Sequence, residues 1–347
     1  MRVNGINYDA GFVHRGVSTH EHFDPAVVAR EMRIIRQDLH CTAVRITGGD
    51  PDRLEAAAVC AADAGLQVWF CPFVCDLTAE ETLALVADCA GRAERLRAGG
   101  ADVVFLTGSE LSLFVGGFLP GDTFLDRAAL LRAPDAARLR ECFATLPERF
   151  NAFLGRAAAL ARERFGGPIS YASLPFERVD WALFDIVSTD AGYRSTESED
   201  EFRAGIRALT AQGKPVAITE FGCATHVGAA RKGGRGTEIV ESEGGRVTRL
   251  DGDYVRDERE QAGYLREQCD VFDQEGVYAA FVYTFANYHL PHRPDSREDL
   301  DMAALGIVTV FEDGRGRTYP DMAWEPKLAF AALADRYRRA AAAGGTG

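Results

Sequence analysis

Residues 42–74 read TAVRITGGDPDRLEAAAVCAADAGLQVWFCPFV, and the reading of this stretch decides the fold. It opens on a short β-branched run, residues 42–47, closed by Gly48 and Gly49. A helical stretch then starts at Pro51, with proline in its first turn, and stops at Gly65, which are the start and stop signals of a helix. Residues 66–74 form a second apolar run rich in Val, Phe and Trp, the composition of a buried strand. A strand, a helix and a strand joined by connections this short make a parallel βαβ unit.

The same rhythm continues in both directions. Residues 3–8 are a strand candidate, and residues 25–38 a helix with Val27, Val28, Met32, Ile35 and Leu39 on one face. Further strands are predicted at 102–107, 169–172, 185–189, 215–219 and 277–285, alternating with helices at 78–98, 135–165, 199–211 and 257–274. Residues 175–184 leave room only for a stunted helix between the fifth and sixth strands, and residues 324–342 supply a last one. Eight strands alternating with helices predict an α/β chain folded as a single (β/α)8 barrel. It spans residues 1–340, has long loops after the fourth, seventh and eighth strands, and leaves 341–347 as a flexible tail. The alternative, an open doubly wound sheet, lacks its usual signals: no GxGxxG follows the first strand and no GxxxxGK[ST] occurs.

Composition narrows the function. The 347 residues are 47% hydrophobic and 26% charged, which excludes a disordered chain or a coiled coil. Thirty-nine basic against 52 acidic residues give a net charge of −13, which repels a nucleic-acid backbone. The longest apolar run, residues 277–286, falls far short of the ~20 residues a membrane helix needs. Met1 and Arg2 run straight into the first strand, leaving no room for a signal peptide. The eight cysteines are scattered, and Cys71 and Cys75 have no second pair or nearby histidine in the sequence to complete a zinc set. The expectation is a cytoplasmic protein with free thiols, no metal, no cofactor and a small-molecule partner.

In such a barrel the site lies at the carboxyl ends of the strands. Phasing each strand by its apolar members puts Val216, Ile218 and Glu220 on one face of the seventh, and Val104, Leu106, Gly108 and Glu110 on one face of the fourth. Ala43 and Arg45 share a face of the second. Two carboxyls across a sugar-sized cleft are what cleavage of a glycosidic bond requires, one ionised and one protonated. Arg45 near Glu220 would keep that carboxyl anionic and leave Glu110 as the acid. A retaining reaction sets the pair roughly 5–5.5 Å apart.

Other polar groups read differently. His20, Glu21 and His22 look like a solvated loop, and His289 and His292 lie in the loop after the eighth strand. Segments 237–240 and 246–250 flank Gly244 and Gly245 and predict a hairpin within 226–253, a flap over the pocket with few apolar residues to anchor it.

The stretch Ile218-Thr219-Glu220-Phe221-Gly222 resembles the nucleophile strand of the clan A retaining glycoside hydrolases, whose (β/α)8 barrels carry the acid/base on strand four and the nucleophile on strand seven. Gly5-Ile6-Asn7-Tyr8 resembles their first strand, and Ala43-Val44-Arg45-Ile46 their second. The passage from Val179-Asp180-Trp181 through Asp185-Ile186-Val187 to Tyr193 resembles their fifth-to-sixth strand region. The resemblance implies Glu220 as nucleophile, Glu110 as acid/base, and Tyr8, Arg45, Ser109, Tyr193, Tyr283 and Phe285 as substrate-binding residues. Two departures stand out. The clan's Asn-Glu is Ser109-Glu110 here, and its eighth-strand tryptophan is replaced by Tyr283-Thr284-Phe285. The sequence also resembles bacterial proteins labelled abortive phage infection proteins, which implies a rival role: a glycosidase-like barrel that binds a sugar or nucleotide without hydrolysis. A metal-dependent barrel hydrolase is a third reading, and it needs a His/Asp cluster at the strand ends.

Overall fold

A computed structural model describes residues 1–132, 136–196 and 198–344. Its parallel strands are Val3–Asp9, Ala43–Gly48, Gln67–Pro72, Val103–Ser109, Ile169–Ser173, Val187–Thr189, Val216–Phe221 and Ala279–Val282. They close into one barrel in the order first, eighth, seventh, sixth, fifth, fourth, third, second. Alternation along each strand divides the apolar residues between two layers. Trp69, Val104, Leu106, Ala172, Ala217, Ala279 and Phe281 fill the interior. Val68, Phe70, Phe105, Ile169 and Tyr171 face outward into the layer beneath the helices. Large and small residues interdigitate inside: a Cβ on Gly5 would come within 2.3 Å of the Phe281 ring, so only glycine leaves room for it.

Helices Pro25–Gln37, Pro51–Asp63, Ala79–Ala98, Ala136–Arg164, Glu199–Thr210, Glu258–Gln274 and Leu328–Gly344 cover the barrel. Their starts follow local chemistry. Asp50 caps the second helix just before Pro51, and Thr78 with Glu81 and Ser198 with Glu201 form capping boxes. Between the fifth and sixth strands the stunted helix is two 3-10 turns, Pro175–Glu177 and Trp181–Leu183. So little chain leaves the barrel wall thinly covered, and a cavity of about 650 Å³ opens there, lined by Leu174, Trp181, Thr189, Phe202 and Ile206 among others.

Several elements differ from the sequence reading. The long loop after the fourth strand contains helices Leu111–Phe114 and Phe124–Arg132. They are held by a cluster of Phe12, Phe73, Phe114 and Phe124 that tertiary packing assembles. Trp324 belongs to a strand, Trp324–Pro326, paired with Val308–Val310, and the last helix begins only at Leu328. That helix runs through Gly344 where a tail was expected from 341, and residues 345–347 lie outside the described residues. Val27, assigned to a buried face, is exposed.

After the seventh strand, Val240–Glu243 and Arg246–Leu250 pair as an antiparallel hairpin. Its segment is better anchored than its composition suggests. Ile239 and Leu250 are buried in one cluster with Leu290, Leu300 and Met302 from the loop after the eighth strand. Arg246 reaches Glu21 after the first strand at 2.5 Å, and Glu238 meets Arg132 after the fourth at 2.9 Å. Among the described residues every cysteine is free, and no helix is long and apolar enough to cross a membrane.

Candidate active site

Arg45 organises the carboxyl end of the barrel. Its side chain is wholly buried, and Nη1 donates to Glu220 Oε1 at 3.0 Å and to Asp190 Oδ1 at 3.2 Å. The same nitrogen reaches Asn7 Oδ1 and the Thr219 carbonyl, each at 3.2 Å. Asn7 in turn donates to that carbonyl at 2.9 Å. Ser109 donates its hydroxyl to Asp190 Oδ2 at 2.6 Å, and Tyr193 donates its phenol to Glu220 Oε2 at 3.4 Å.

Two irregularities aim the glutamates. On the seventh strand Ala217 fills the interior while Ile218 faces outward, so the face assigned from the sequence is the wrong one. Pairing with the eighth strand runs Ala280 to Ile218 and then Val282 to Phe221, so the seventh strand carries one extra residue. This bulge turns Glu220 into the mouth despite the phase of Ile218. The fourth strand also carries one extra residue: Leu106 pairs with Ser170 and Ser109 with Ala172. Gly108 at φ 146° supplies the backbone conformation for that bulge, and Glu110 follows with φ 49° and ψ 33°. A glutamate in the left-handed region is uncommon and marks a constrained position.

The turn that carries Glu110 is fixed from below. Glu177, fully buried, accepts from the Ser112 and Leu174 amides and from the Tyr171 hydroxyl. Tyr171 Oη accepts from the Leu111 amide at 2.7 Å. Burial pushes the Glu177 carboxyl up to about 7. Beside Glu220, Gly192 permits a close approach: a Cβ there would lie 2.4 Å from the Glu220 carbonyl, and the next residue, Tyr193, reaches the Glu220 carboxyl.

The electrostatics separate the two glutamates. Burial, then the negative charges of Asp190, Glu220 and Glu177, hold the Glu110 carboxyl well above the ordinary range. Burial and Asp190 push Glu220 up to about 8, while Arg45 and Tyr193 pull it down. Arg45 therefore favours the Glu220 anion, as its position in the sequence suggested, but it is shared with Asp190 and does not restore an ordinary pKa. Glu110 keeps its proton longer, since no hydrogen bond from a described residue stabilises its anion.

With this geometry in place, the comparisons with known proteins fall into order. No protein-family model matches the chain, and no curated protein matches it. Solved structures do. A GH113 β-1,4-mannanase superposes with a TM-score of 0.61 at 14% identity, covering 97% of this chain and 98% of its own. The GH113 β-mannanase from Alicyclobacillus acidocaldarius in complex with ManMIm gives 0.60 at 15% identity, covering 97% of both chains. The β-glucuronidase of Parabacteroides merdae gives 0.51 at 14% identity, covering 97% of this chain and 36% of that one. The chain has the barrel fold of these glycoside hydrolases. Identities this low establish the fold. None of the structures named here is described as an abortive infection protein.

The barrel brings together Glu110, Glu220, Arg45, Ser109 and Tyr193. Tyr283, the half-buried residue that follows the eighth strand, joins them: Glu220, Asp9 and Arg45 all act electrostatically on its phenol. Two expected substrate contacts are elsewhere. Tyr8 is fully buried in the outer layer, donating to Glu31 of helix Pro25–Gln37 at 2.5 Å. Strand alternation decides this, because Asn7 points inward to Arg45 and its neighbour must point out. Phe285 is also fully buried, stacked on Tyr8 at 6.2 Å and edge-on to Trp324 at 5.2 Å. Ser109 is present but directed into the wall, its hydroxyl engaged by Asp190. Asp190 itself escaped the sequence reading. The one available signal was its place directly after the sixth strand.

The histidines also moved. His20, expected in solvent, is buried with its ring stacked on Tyr288 at 3.8 Å and Nδ1 bonded to the Asp9 carbonyl at 2.9 Å. Cys75, read as lacking a histidine, has one through the fold: His14, Cys75 and Asp76 bring one possible ligand atom each within 4.8 Å of one another. The Arg127 guanidinium already holds Asp76 Oδ1 at 2.6 Å, and its charge opposes a cation there.

Proposed function

We propose that the chain is a retaining glycoside hydrolase acting on a small glycoside or oligosaccharide. The observation that carries this reading is Glu220, anchored by Arg45 at 3.0 Å on the seventh strand, with the more strongly proton-retaining Glu110 at the end of the fourth. Glu220 attacks the anomeric carbon as Glu110 gives its proton to the departing oxygen. Glu110, now an anion, takes a proton from water, which attacks the glycosyl ester and frees Glu220. Oε1 of Glu220 is occupied by Arg45, which leaves Oε2, contacted by Tyr193 at 3.4 Å, as the attacking atom. Tyr283 offers an aromatic wall beside it. The barrel likeness to a mannanase and a glucuronidase supports the reaction class and leaves the sugar open. Loops tied by Arg132–Glu238 and Arg246–Glu21 favour a small substrate.

A panel of chromogenic glycosides tests the activity, and NMR detection of the first-formed anomer tests the stereochemistry. Release of the inverted anomer would sink the retaining mechanism. The second reading, a barrel that binds a sugar or nucleotide in phage defence without cleaving it, draws on one observation: the Ser109 hydroxyl is spent on Asp190. Ligand binding with no turnover on any glycoside would favour it.

A further inference from the structure

In a barrel of this kind each strand is followed by a helix, but between the fifth and sixth strands the chain supplies only the turns Pro175–Glu177 and Trp181–Leu183. The next helix, Glu199–Thr210, therefore has a face without a neighbour. Phe202, Gly205, Ile206 and Leu209, spaced three and four apart, lie along that face and line the cavity of about 650 Å³. Leu174 and Trp181 line it from the turns. Alternation places it: Asp190 turns inward to Arg45, so Thr189 and Ala191 turn outward and form part of the cavity wall. The cavity thus lies in the helix layer, outside the barrel and apart from the two glutamates.

Space of this size is rare in a packed protein. Here two polar clamps hold the walls apart. Asn151 of helix Ala136–Arg164 donates to the Arg178 carbonyl at 3.0 Å and accepts from the Asp180 amide at 2.7 Å. Lys214 donates to the carbonyls of Trp181 and Phe184. Gly205 adds to the space. Glycine weakens a helix interior, and a Cβ at this position would meet no atom within 4 Å, so no close packing requires it.

The polar groups decide what the cavity takes. Arg178 is the one cation among the lining residues, and it is exposed to solvent. Its backbone is held at φ 49° and ψ 57°, a constrained conformation for a residue other than glycine. Its guanidinium has no partner among the described residues. Glu201, the one acid, is engaged by its helix cap: Oε2 accepts from the Ser198 amide and hydroxyl, each at 2.9 Å. The Ser173 and Thr189 hydroxyls are spent on strand carbonyls. The other walls are mostly apolar, and water, which needs about two to four polar partners, finds few there.

We propose that this cavity is a second binding site, for an aromatic organic anion whose acidic group pairs with Arg178 and whose rings lie beside Trp181 and Phe202. The volume falls within the ~300–1,000 Å³ of small-molecule sites, whereas a helix ~10 Å across would fit for only about one turn. The site stands whether or not the barrel cleaves glycosides.

Two dyes that share one ring system test it. Anilinonaphthalene sulfonate carries the acidic group, and N-phenylnaphthylamine lacks it. Both are titrated by fluorescence into the whole chain, with thermal melts and light scattering on every variant. Wild type should bind both. Gly205→Phe fills the space with a side chain and should abolish binding of both. Arg178→Gln makes the same backbone demand and should weaken the sulfonate roughly 10-fold while leaving the neutral dye within about twofold. An equal effect of Arg178→Gln on the two dyes, or none, would overturn the proposal. So would dye retained by Gly205→Phe, or none bound by wild type. Should Gly205→Phe fail to fold, the Arg178→Gln comparison decides. A wild-type dimer that Gly205→Phe splits would give this face to a second copy and likewise overturn the proposal.

Discussion

Ser109 donates its hydroxyl to Asp190 across 2.6 Å, joining the bulged end of the fourth strand to the end of the sixth. Because Asp190 also accepts from Arg45, and Arg45 holds Glu220, one connected path runs from the backbone of Glu110 to the carboxylate of Glu220. The two glutamates are thus placed by a single buried network, in which one guanidinium is shared by two carboxyls, those of Asp190 and Glu220.

Within that network the two glutamates should fail differently when neutralised. Glu110→Gln is expected to turn over ordinary glycosides at least roughly 10²-fold more slowly, and to give a burst followed by a stall on a substrate whose leaving group needs no proton. Glu220→Gln should give no burst with any leaving group. Pre-steady-state release of nitrophenol or dinitrophenol measures both, and a burst from Glu220→Gln would remove it as the nucleophile.

The raised carboxyls make stability depend on pH in a definite direction. An unfolded glutamate loses its proton near ~4.3, whereas folded Glu220 holds it up to about 8. Between those values the folded state binds the extra proton, so this contribution is full below ~4.3 and is lost as pH rises through 8. Glu220→Gln has no proton to lose and should therefore melt above wild type at alkaline pH, with the gap closing toward pH ~4.5. Calorimetry across that range checks it; a gap that is constant with pH refutes the assignment.

Asp190→Asn should move the acid limb of kcat/KM to lower pH. The limb reports ionisation of Glu220, which Asp190 pushes up. Removing the charge also frees Arg45 to serve Glu220 alone. The alkaline limb, set by Glu110, should fall as well, because Asp190 is the largest of the charges raising it. A pH profile unchanged in both limbs would show that Asp190 does not act through either carboxyl.

Tyr8→Phe separates packing from catalysis. Tyr8 is one of three donors to buried Glu31, with Tyr288 at 2.8 Å and Trp324 at 2.7 Å. Its loss should cost about 1–3 kcal/mol of stability, read in denaturant unfolding, and leave kcat/KM within about twofold. A large loss of activity at unchanged stability would return Tyr8 to the site.

The order of strands and helices was legible because local chemistry sets it. Proline and acidic caps start helices, glycines stop them, and β-branched runs alternate with both, so the eight-strand barrel could be read from residues 42–74 outward. Glu110 and Glu220 were legible as polar groups ending apolar runs, and Arg45 as a charge inside one. What pointed where was not. Phasing by alternation gave the wrong face for Ile218, since a bulge is a property of two paired strands and cannot be seen in one. The same limit misplaced Tyr8 and Phe285, whose neighbours in the outer layer, Glu31 and Trp324, are far away in sequence. Asp190 follows a strand of only three residues, and its contacts exist only because barrel closure brings strands two, four and six to one point. The sequence by itself determined which residues could ionise and which segments could be strands. Tertiary structure alone decided their partners, because burial and pairing, which set both direction and pKa, arise from contacts between segments far apart in the chain.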